Sequence, residues 1–290
     1  MKRSLSIAAL VLLALPAAAF DFGNLGDIGK GVGVITKTAD NLKKADEDLT
    51  PVQQYYLGRA FGATILESRK PLDNPVLTQY VNSIGQALVL ASDQPATYNG
   101  YRFLILDTPE VNAFSGPGGF VFVTKGLIQL TSNEAELAAV LAHEVSHVAL
   151  QHGVKAIKKD RQTGALITGV ADTAKTLGSA DMAKATDALQ GSVTDLTKNI
   201  VNNGYSRDTE FEADAHAVEV LRNSGYSPQA LLAMLEDLKK IPQGSGSSLS
   251  KTHPAPADRI AKVKPLVQKD GPVTLTDVQK QRYQAAVGSL

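Results

Sequence analysis

The sequence feature that most constrains this chain is the pattern H-E-x-x-H at residues 143–147. On a helix, His143 and His147 lie one turn apart and project from the same face. Two neutral imidazoles so placed can bind one zinc ion, and Glu144 can reach a water on that ion. Zinc lowers the pKa of such a water to about 7, so the carboxylate can take its proton and start hydrolysis of a peptide carbonyl.

The motif is surrounded by apolar residues at helical spacing. These are Leu137, Val140, Leu141, Val145 and Val148. Such a stripe predicts a helix with one face in the core. Thr131 and Glu134 are placed to form a capping box at its start, and Gly153 to end it. We therefore expect the motif to lie on a buried helix. The alternative is a core helix that carries two incidental histidines.

Composition excludes several classes of site. The chain of 290 residues contains no cysteine, which removes disulfides, cysteine nucleophiles, cysteine-ligated zinc and a lipid-anchored N-terminal cysteine. It also removes sites of the peptide-deformylase type, which combine H-E-x-x-H with a cysteine ligand. Basic and acidic side chains balance at 29 each, and the sequence contains no long basic block. No nucleic-acid partner is therefore expected.

The N-terminus has the pattern of a secretory signal peptide. A basic start and an apolar run at residues 5–15 precede an A-x-A cleavage site at residues 17–19. We expect residues 1–19 to be cleaved and residues 20–47 to form a Gly-rich linker. This predicts secretion, into the periplasm if the cell is Gram-negative; the alternative is an uncleaved anchor, although the run is short for a membrane span. No transmembrane segment is expected in the mature chain.

The remaining pattern predicts an α+β, mainly helical fold with a small sheet beside the motif helix. Residues 48–67 and 75–90 have helical spacing and suitable starts. Residues 101–106 (YRFLIL) and 120–124 (FVFVT) are rich in strand formers, and a GPGG turn precedes the second run. Because a strand lies just ahead of the motif helix, we expect its edge to hold an extended substrate by backbone hydrogen bonds. The alternative is a plain two- or three-stranded sheet.

The domain organisation follows from these elements. We expect a metallopeptidase domain at residues 48–268 and a C-terminal helical tail at residues 269–290. Residues 155–203 are spaced loosely for two weak helices. These could act as a lid that opens for substrate or form a passive hairpin.

A second helix is predicted to supply the third metal ligand. Ser206 is a suitable N-cap for a helix that runs to Asn223. On this helix, Glu210 and Asp214 lie four residues apart on one face. Two histidines and one glutamate form a known catalytic zinc set, so Glu210 can complete the site. Asp214 is placed to accept a hydrogen bond from the second nitrogen of a ligand histidine. The alternative is a solvated acidic face.

Three further residues are weaker candidates. Glu212 points to another face of the helix, and His216 is expected to be structural. His152 follows His147 by five residues, which puts it away from the ligand face of an ideal helix. We expect it near the helix C-terminus, where the helix dipole favours a cation.

Four segments agree in order and spacing with one known family. They are NAFSGPGGFVFVTKGL at 112–127, LAHEVSHVALQH at 141–152, YSRDTEFEADAHA at 205–217 and THPAPADRI at 252–260. These segments resemble the HtpX-like zinc metallopeptidases, relatives of the type I CAAX prenyl protease. The resemblance implies a gluzincin-like metallopeptidase domain with one zinc ion per chain. The family's metal ligands fall on His143, His147 and Glu210, and its general base falls on Glu144.

The resemblance also suggests roles for two nearby residues. Asp214 matches an acidic position sometimes assigned as a catalytic proton donor. We favour the hydrogen-bonding role, because a donor must reach the leaving amine while Asp214 is expected behind the ligands. Arg207 matches a family arginine near the cleft. It is a candidate for holding a substrate carbonyl or its oxyanion, or a neighbouring carboxylate.

His253 lies in a His-Pro segment that recurs in the soluble branch of this family, where it can approach the metal. As a fourth ligand from a mobile loop it would displace the catalytic water and keep the enzyme latent, since structural zinc sites are closed and catalytic ones open. The alternatives are oxyanion stabilisation and a purely structural role.

Without spanning helices, the chain resembles the soluble periplasmic branch, whose members are linked to outer-membrane protein quality control. The helical repeats that some relatives carry after the peptidase domain are expected to be missing. The resemblance implies a zinc-dependent endopeptidase for misfolded or unassembled envelope proteins, with the outer-membrane assembly machinery as a candidate partner. The alternative is a periplasmic chaperone or assembly factor whose zinc site is largely silent.

Overall fold

A computed structural model describes residues 48–160, 200–241 and 252–288 of the chain, together with the single residues 162, 198 and 290. The predicted signal peptide and linker lie outside the described residues. So does most of the segment for which two weak helices were predicted.

The bounds of the elements are as follows. The helices are α1 (Pro51–Leu66), α2 (Pro75–Leu90), α3 (Lys125–Leu130), α4 (Glu134–Ala149), α5 (Arg207–Asn223), α6 (Gln229–Lys239), α7 (Pro256–Leu266) and α8 (Asp277–Val287). The strands are β1 (Arg102–Leu106), β2 (Ala113–Gly116) and β3 (Phe120–Thr124), and a short 3-10 turn (Pro117–Gly119) joins β2 to β3. Residues 152–160 are also helical.

This architecture confirms the predicted mainly helical α+β fold, and the local signals explain where helices start. The side chains of Thr50 and Asn74 accept hydrogen bonds from backbone N–H groups in the first turns of α1 and α2, and each helix has proline in its first turn. Helix α2 and strand β3 have the predicted bounds.

The sheet corrects one expectation. The strand order is β1-β3-β2, with β1 parallel and β2 antiparallel to the central strand β3. The strand just ahead of the motif helix is therefore not an edge. Gly118 and Gly119 adopt positive φ angles of 71° and 92°, which turn the chain so that β2 folds back along β3. The edge strand that packs against α4 is β2.

Helix α4, which carries the motif, lies in the main hydrophobic core. Every residue from Glu134 to Val148 is buried. Helix α5 packs along it, and α2 and α6 contact it on other sides. Because the helix is packed on all sides, the motif side chains have little room to change position.

The start of α4 differs in detail from the prediction. The N-cap is Asn133, whose side chain accepts from the backbone N–H of Glu136. The Glu136 carboxylate in turn accepts from the N–H of Ser132 at 2.6 Å. Thr131 instead ends α3, because its hydroxyl donates to the carbonyl of Ile128. The predicted cap is therefore displaced by two residues toward the C-terminus.

The end of α4 also differs. The helix stops at Ala149 and Gln151 adopts the left-handed conformation, with φ of 57°. Gly153, which was predicted to end the helix, lies inside the helical segment that follows. The turn at Gln151 changes the direction of the chain just before His152.

The C-terminal region packs on the same core as the rest of the described chain. Ala286 and Val287 of α8 belong to the main hydrophobic cluster, and Arg282 forms an ion pair with the buried Glu134. The predicted boundary at residue 268 stays a prediction. Of the helices in the described ranges, none combines the length and apolar character that a membrane span requires.

Candidate metal centre

Helices α4 and α5 bring the predicted metal ligands together. The Nε2 atoms of His143 and His147 are 3.1 Å apart. Glu210 Oε2 lies 3.4 Å from the first of these nitrogens, and Glu210 Oε1 lies 3.3 Å from the second. All three side chains are buried. Ser206 caps α5 as predicted, and this sets the helix start so that Glu210 faces α4.

These separations fit a tetrahedral metal. With zinc–ligand distances of about 2.0–2.1 Å, neighbouring ligand atoms of a tetrahedral site lie about 3.3 Å apart. Among the described residues, Glu210 Oε1 is a buried oxygen without a hydrogen-bond partner. Two imidazole nitrogens that face each other at 3.1 Å also need a cation or a shared proton between them. The donor set and its geometry therefore suit a divalent cation.

The charges and pKa shifts in the cluster also favour a bound cation. Burial would raise the pKa of Glu210, but the neighbouring imidazoles outweigh it and hold this pKa well below its usual range. Burial and the charge of Arg259 would lower the pKa of His143, but Asp214 and Glu210 outweigh both and raise it to about 9. Burial lowers the pKa of His147. The two carboxylates thus supply negative charge that a divalent cation can neutralise.

Asp214 lies behind the first ligand, where the sequence analysis favoured it. Its Oδ1 is 3.0 Å from Nδ1 of His143, so a proton on Nδ1 leaves Nε2 with a free lone pair. Arg259 donates to both carboxylate oxygens of Asp214, at 2.8 and 2.6 Å. Burial would raise the pKa of Asp214, but Arg259 outweighs it and keeps this pKa low. Sequence reasoning missed Arg259, although it lies in the family-like segment at 252–260.

His253 joins the cluster from the segment before α7. Its Nδ1 is 2.5 Å from Glu210 Oε2, and one ligand atom from each of the two motif histidines, Glu210 and His253 lies within 4.8 Å of the others. The preceding residue, Thr252, donates to the side chain of Asn112 at 3.1 Å. Gly204, at φ of 70°, packs directly on Thr252, and a Cβ there would overlap the Thr252 carbonyl.

The structure does not place Arg207 in this cluster. The Arg207 side chain is 67% exposed and donates to Asp258 at 2.8 Å. Of the roles predicted for it, holding a neighbouring carboxylate is the one this contact resembles. The arginine that touches a ligand histidine is Arg259, whose Nη2 is 3.2 Å from Nδ1 of His143.

Two neighbours of the second ligand were not predicted. His152 is buried with its Nδ1 2.9 Å from Nδ1 of His147. Burial, followed by the charge of His147, lowers the pKa of His152 to about 3, which disfavours the cation expected at this position. Tyr205 stacks on the His147 ring with centroids 4.6 Å apart, and its hydroxyl donates to the Ser115 carbonyl. The turn at Gln151 brings His152 back toward the site.

A serine–histidine–aspartate arrangement on the other side of α4 is structural. His216 lies 2.9 Å from Ser146 Oγ and 3.3 Å from Asp93. Ser146 is fully buried and donates its proton to the Ala142 carbonyl at 2.7 Å. It therefore has neither the access nor the free proton that a nucleophile requires.

The family is decided by sequence comparison. A sequence model described as peptidase family M48 matches residues 75–267, about two thirds of the chain. The chain belongs to this family. The predicted resemblance to a metallopeptidase family is confirmed, and the M48 match includes all four residues of the ligand cluster and Glu144.

Several similar proteins are named as proteases or metallopeptidases. The beta-barrel assembly-enhancing protease of Escherichia coli (strain K12) is 32% identical over 255 residues, covering 85% of this chain and 47% of that protein. Metalloprotease LoiP of the same strain is 32% identical over 196 residues, with 67% and 71% covered. The mitochondrial metalloendopeptidase OMA1 of Schizosaccharomyces pombe is 27% identical over 209 residues, with 70% and 55% covered. The chain spans about half the length of the beta-barrel assembly-enhancing proteases that it matches.

A small apolar cavity adjoins the cluster of candidate ligands. Its walls are mainly aliphatic and come from α3, α4 and α6: Leu127, Val140, Leu231, Met234, Leu235 and Leu238. His143, Glu144, His253 and Arg259 line the rest, together with Ala113 of β2. The cavity volume is about 30 Å³. The opposite side of the cluster, beside His147 and Tyr205, holds a space of only about 10 Å³.

Proposed function

We propose that this M48 chain is a zinc-dependent endopeptidase that hydrolyses misfolded or unassembled proteins of the bacterial envelope. The observation that carries the proposal is the convergence of His143, His147 and Glu210. Their ligand atoms lie 3.1–3.4 Å apart, with the buried Glu144 next to the first of them on α4. Two histidines and a glutamate are a catalytic zinc set that leaves one position open.

Each residue of the site has its own role in the proposed peptide hydrolysis. When bound, zinc polarises the scissile carbonyl and makes water a stronger acid. Glu144 accepts a proton from the attacking water and returns it to the scissile nitrogen. Asp214 holds His143 in the tautomer whose Nε2 can bind metal, and Arg259 keeps Asp214 ionised.

The edge of β2 is the proposed docking site for the substrate backbone. Because the Asn112 carbonyl accepts from Thr124 of β3, the antiparallel alternation directs the backbone groups of Ala113 and Ser115 to the outer edge. The Ser115 carbonyl accepts from the Tyr205 hydroxyl and the Ala113 N–H donates to Asn112 Oδ1, so an added strand would share or replace these two contacts. An extended peptide would add to β2 as a further strand.

The apolar cavity is proposed to hold the side chain that follows the scissile bond. Glu144 lines the cavity and returns the proton to the scissile nitrogen, so the residue that carries this nitrogen lies at the same end. A volume of about 30 Å³ is well below the roughly 150 Å³ that accommodates benzene. The cavity therefore suits a short aliphatic side chain.

The envelope setting rests on the sequence and on the relatives. The N-terminal pattern is that of a signal peptide, and the similarity to proteins named beta-barrel assembly-enhancing protease supports a periplasmic location. The same similarity supports contact with the outer-membrane assembly machinery. Substrates would be proteins that expose extended segments, because an edge strand binds backbone rather than folded surface.

The test is zinc content and casein cleavage, measured side by side for wild type and Glu144→Gln. The variant keeps all candidate ligands, so it should bind zinc equally. Loss of the general base should lower turnover by about 10²–10⁴-fold. Unchanged turnover would refute the mechanism.

The same proteins distinguish the alternative of a chaperone or assembly factor. An endopeptidase removes an aggregating client by cleaving it, and loses this effect in Glu144→Gln or after chelation. If wild type cleaves nothing and suppresses aggregation equally well in all three conditions, the chaperone replaces the endopeptidase.

A further inference from the structure

Two residues, His152 and Glu212, lie behind His147. His152 is buried, its Nδ1 is 2.9 Å from Nδ1 of His147, and the two rings meet edge to face with centroids 5.0 Å apart. Its other nitrogen, Nε2, has no hydrogen-bond partner among the described residues. The carboxylate of Glu212 lies 3.3 Å from that nitrogen, just beyond ordinary hydrogen-bond length.

The protons in this chain of contacts can be assigned by elimination. His147 Nε2 faces the other ligands, so it must present a lone pair there and carry its proton on Nδ1. Of two nitrogens at 2.9 Å, one donates and the other accepts, so Nδ1 of His152 is the acceptor. The proton of a neutral His152 then lies on Nε2, which faces Glu212.

We infer that His152 and Glu212 are positioning residues that hold His147 in its metal-binding tautomer. The inference rests on the proposed metal site. In this arrangement a small shift of the Glu212 carboxylate, now 3.3 Å away, lets it accept from His152 Nε2–H, and His152 accepts from His147 Nδ1–H. A carboxylate behind a ligand imidazole fixes the ring orientation and makes its free nitrogen a better donor to metal. Here the carboxylate acts through one intervening ring.

The usual reading of a surface glutamate is a solvated side chain, and the Glu212 side chain is 64% exposed. The unpartnered, buried nitrogen beside it favours a specific role, because leaving such a group without a partner costs about 1–3 kcal/mol. From the sequence, both residues were weighed only as weaker candidates for the site. Glu212 was set aside because it does not share the face of Glu210 and Asp214.

The first experiment compares two variants of His152 in the full chain by competition between the protein and a zinc chelator of known affinity. His152→Leu fills the space without an acceptor and should weaken zinc binding by about 10–100-fold. His152→Asn offers an oxygen near the position of Nδ1 and should recover zinc affinity to within about threefold of wild type, since the acceptor is restored. Equal losses in both variants would mean that only ring packing matters, and would overturn the inference.

A second arm does not depend on a buried substitution. Glu212→Ala should weaken zinc binding several-fold, whereas Glu219→Ala, at an exposed acidic residue on the same helix, should leave it unchanged. The absorption spectrum of the cobalt-loaded protein gives an independent readout, and should shift in His152→Leu and not in Glu219→Ala. Wild-type zinc affinity and spectrum in both His152→Leu and Glu212→Ala would refute the pair.

Failure of the inference and failure of the proposed function give different results. If wild type neither binds zinc nor cleaves casein, the proposed function is wrong. If wild type does both and the His152 and Glu212 variants bind zinc equally well, only the positioning role is wrong.

Discussion

His143 and His147 lie one turn apart on α4 and face the same candidate metal, yet the groups behind them differ. Behind His143 lies a carboxylate in direct contact, itself bound by the two-pronged guanidinium of Arg259, and all of it is buried. Behind His147 lies a second imidazole, and beyond it Glu212, whose side chain is mostly exposed to solvent. The buried ion pair behind His143 is costly to break. Solvent screens much of the interaction between Glu212 and His152.

Substitutions behind His143 and behind His147 should therefore have different effects. A change behind His143 leaves a buried charge without its partner, so it affects folding as well as metal binding. A change behind His147 removes a hydrogen bond whose far end already reaches water, so it should affect metal binding and leave folding nearly unchanged.

Asp214→Asn should break the arrangement behind His143. Removing one partner of a buried ion pair leaves the Arg259 charge uncompensated and costs about 3–5 kcal/mol of unfolding free energy. Urea unfolding with chelator present measures this cost without contributions from zinc. The control is Asp258→Asn, which breaks the exposed pair with Arg207 and should cost less than about 1 kcal/mol. Equal effects from the two variants would remove the contrast.

The pH dependence of that cost sharpens the contrast. The pKa of Asp214 is held below its usual range, since Arg259 outweighs the effect of burial. A carboxylate with a lowered folded pKa adds stability that is fully present above its unfolded pKa, about 3.9, and is lost as pH falls through the folded value. The gap in unfolding free energy between wild type and Asp214→Asn should be largest at about pH 5–6 and shrink below about pH 4. It should also narrow as pH rises from about 6.5 through 9, because Asp214 helps to hold the pKa of His143 at about 9. A gap that closes between pH 5 and pH 6 would contradict this assignment.

His253→Ala should leave both arrangements intact, because His253 contacts Glu210 and not the groups behind the motif histidines. If His253 closes the open position, its removal should raise casein cleavage several-fold with zinc content unchanged. A fall in activity with zinc retained would instead favour a role in stabilising the oxyanion.

Arg207→Ala should have the smallest effect. The guanidinium is exposed and its partner, Asp258, is on the surface, so kcat and KM for a peptide substrate should stay within about twofold of wild type. A tenfold rise in KM would restore the predicted contact with substrate.

The sequence was sufficient where spacing along one element decides the geometry. Helical periodicity places His143, Glu144 and His147 on α4, and the Ser206 cap fixes which face of α5 carries Glu210 and Asp214. These predictions need only the helix repeat and one cap. The convergence of the two helices could be expected because a zinc site with two histidines needs a third ligand.

Sequence reasoning failed where the chain leaves a regular element. His152 was placed by extending an ideal helix, but Gln151 in the left-handed conformation turns the chain and returns His152 to His147. Non-glycine residues rarely adopt that conformation, so a glutamine at position 151 gives no sign of it in the sequence. The contact between Arg259 and Asp214 depends on how α7 packs against α5, which no local pattern encodes.

Gly204 packs closely on Thr252, so a substitution at position 204 can alter the cluster without changing any candidate ligand. The backbone at 204 has no space for even a methyl group while Thr252 keeps its position, and Thr252 directly precedes His253. Replacing this glycine by alanine should therefore displace Thr252, and with it the neighbouring His253. Position 204 thus offers a way to change the geometry of the candidate metal centre while every candidate ligand side chain stays unaltered.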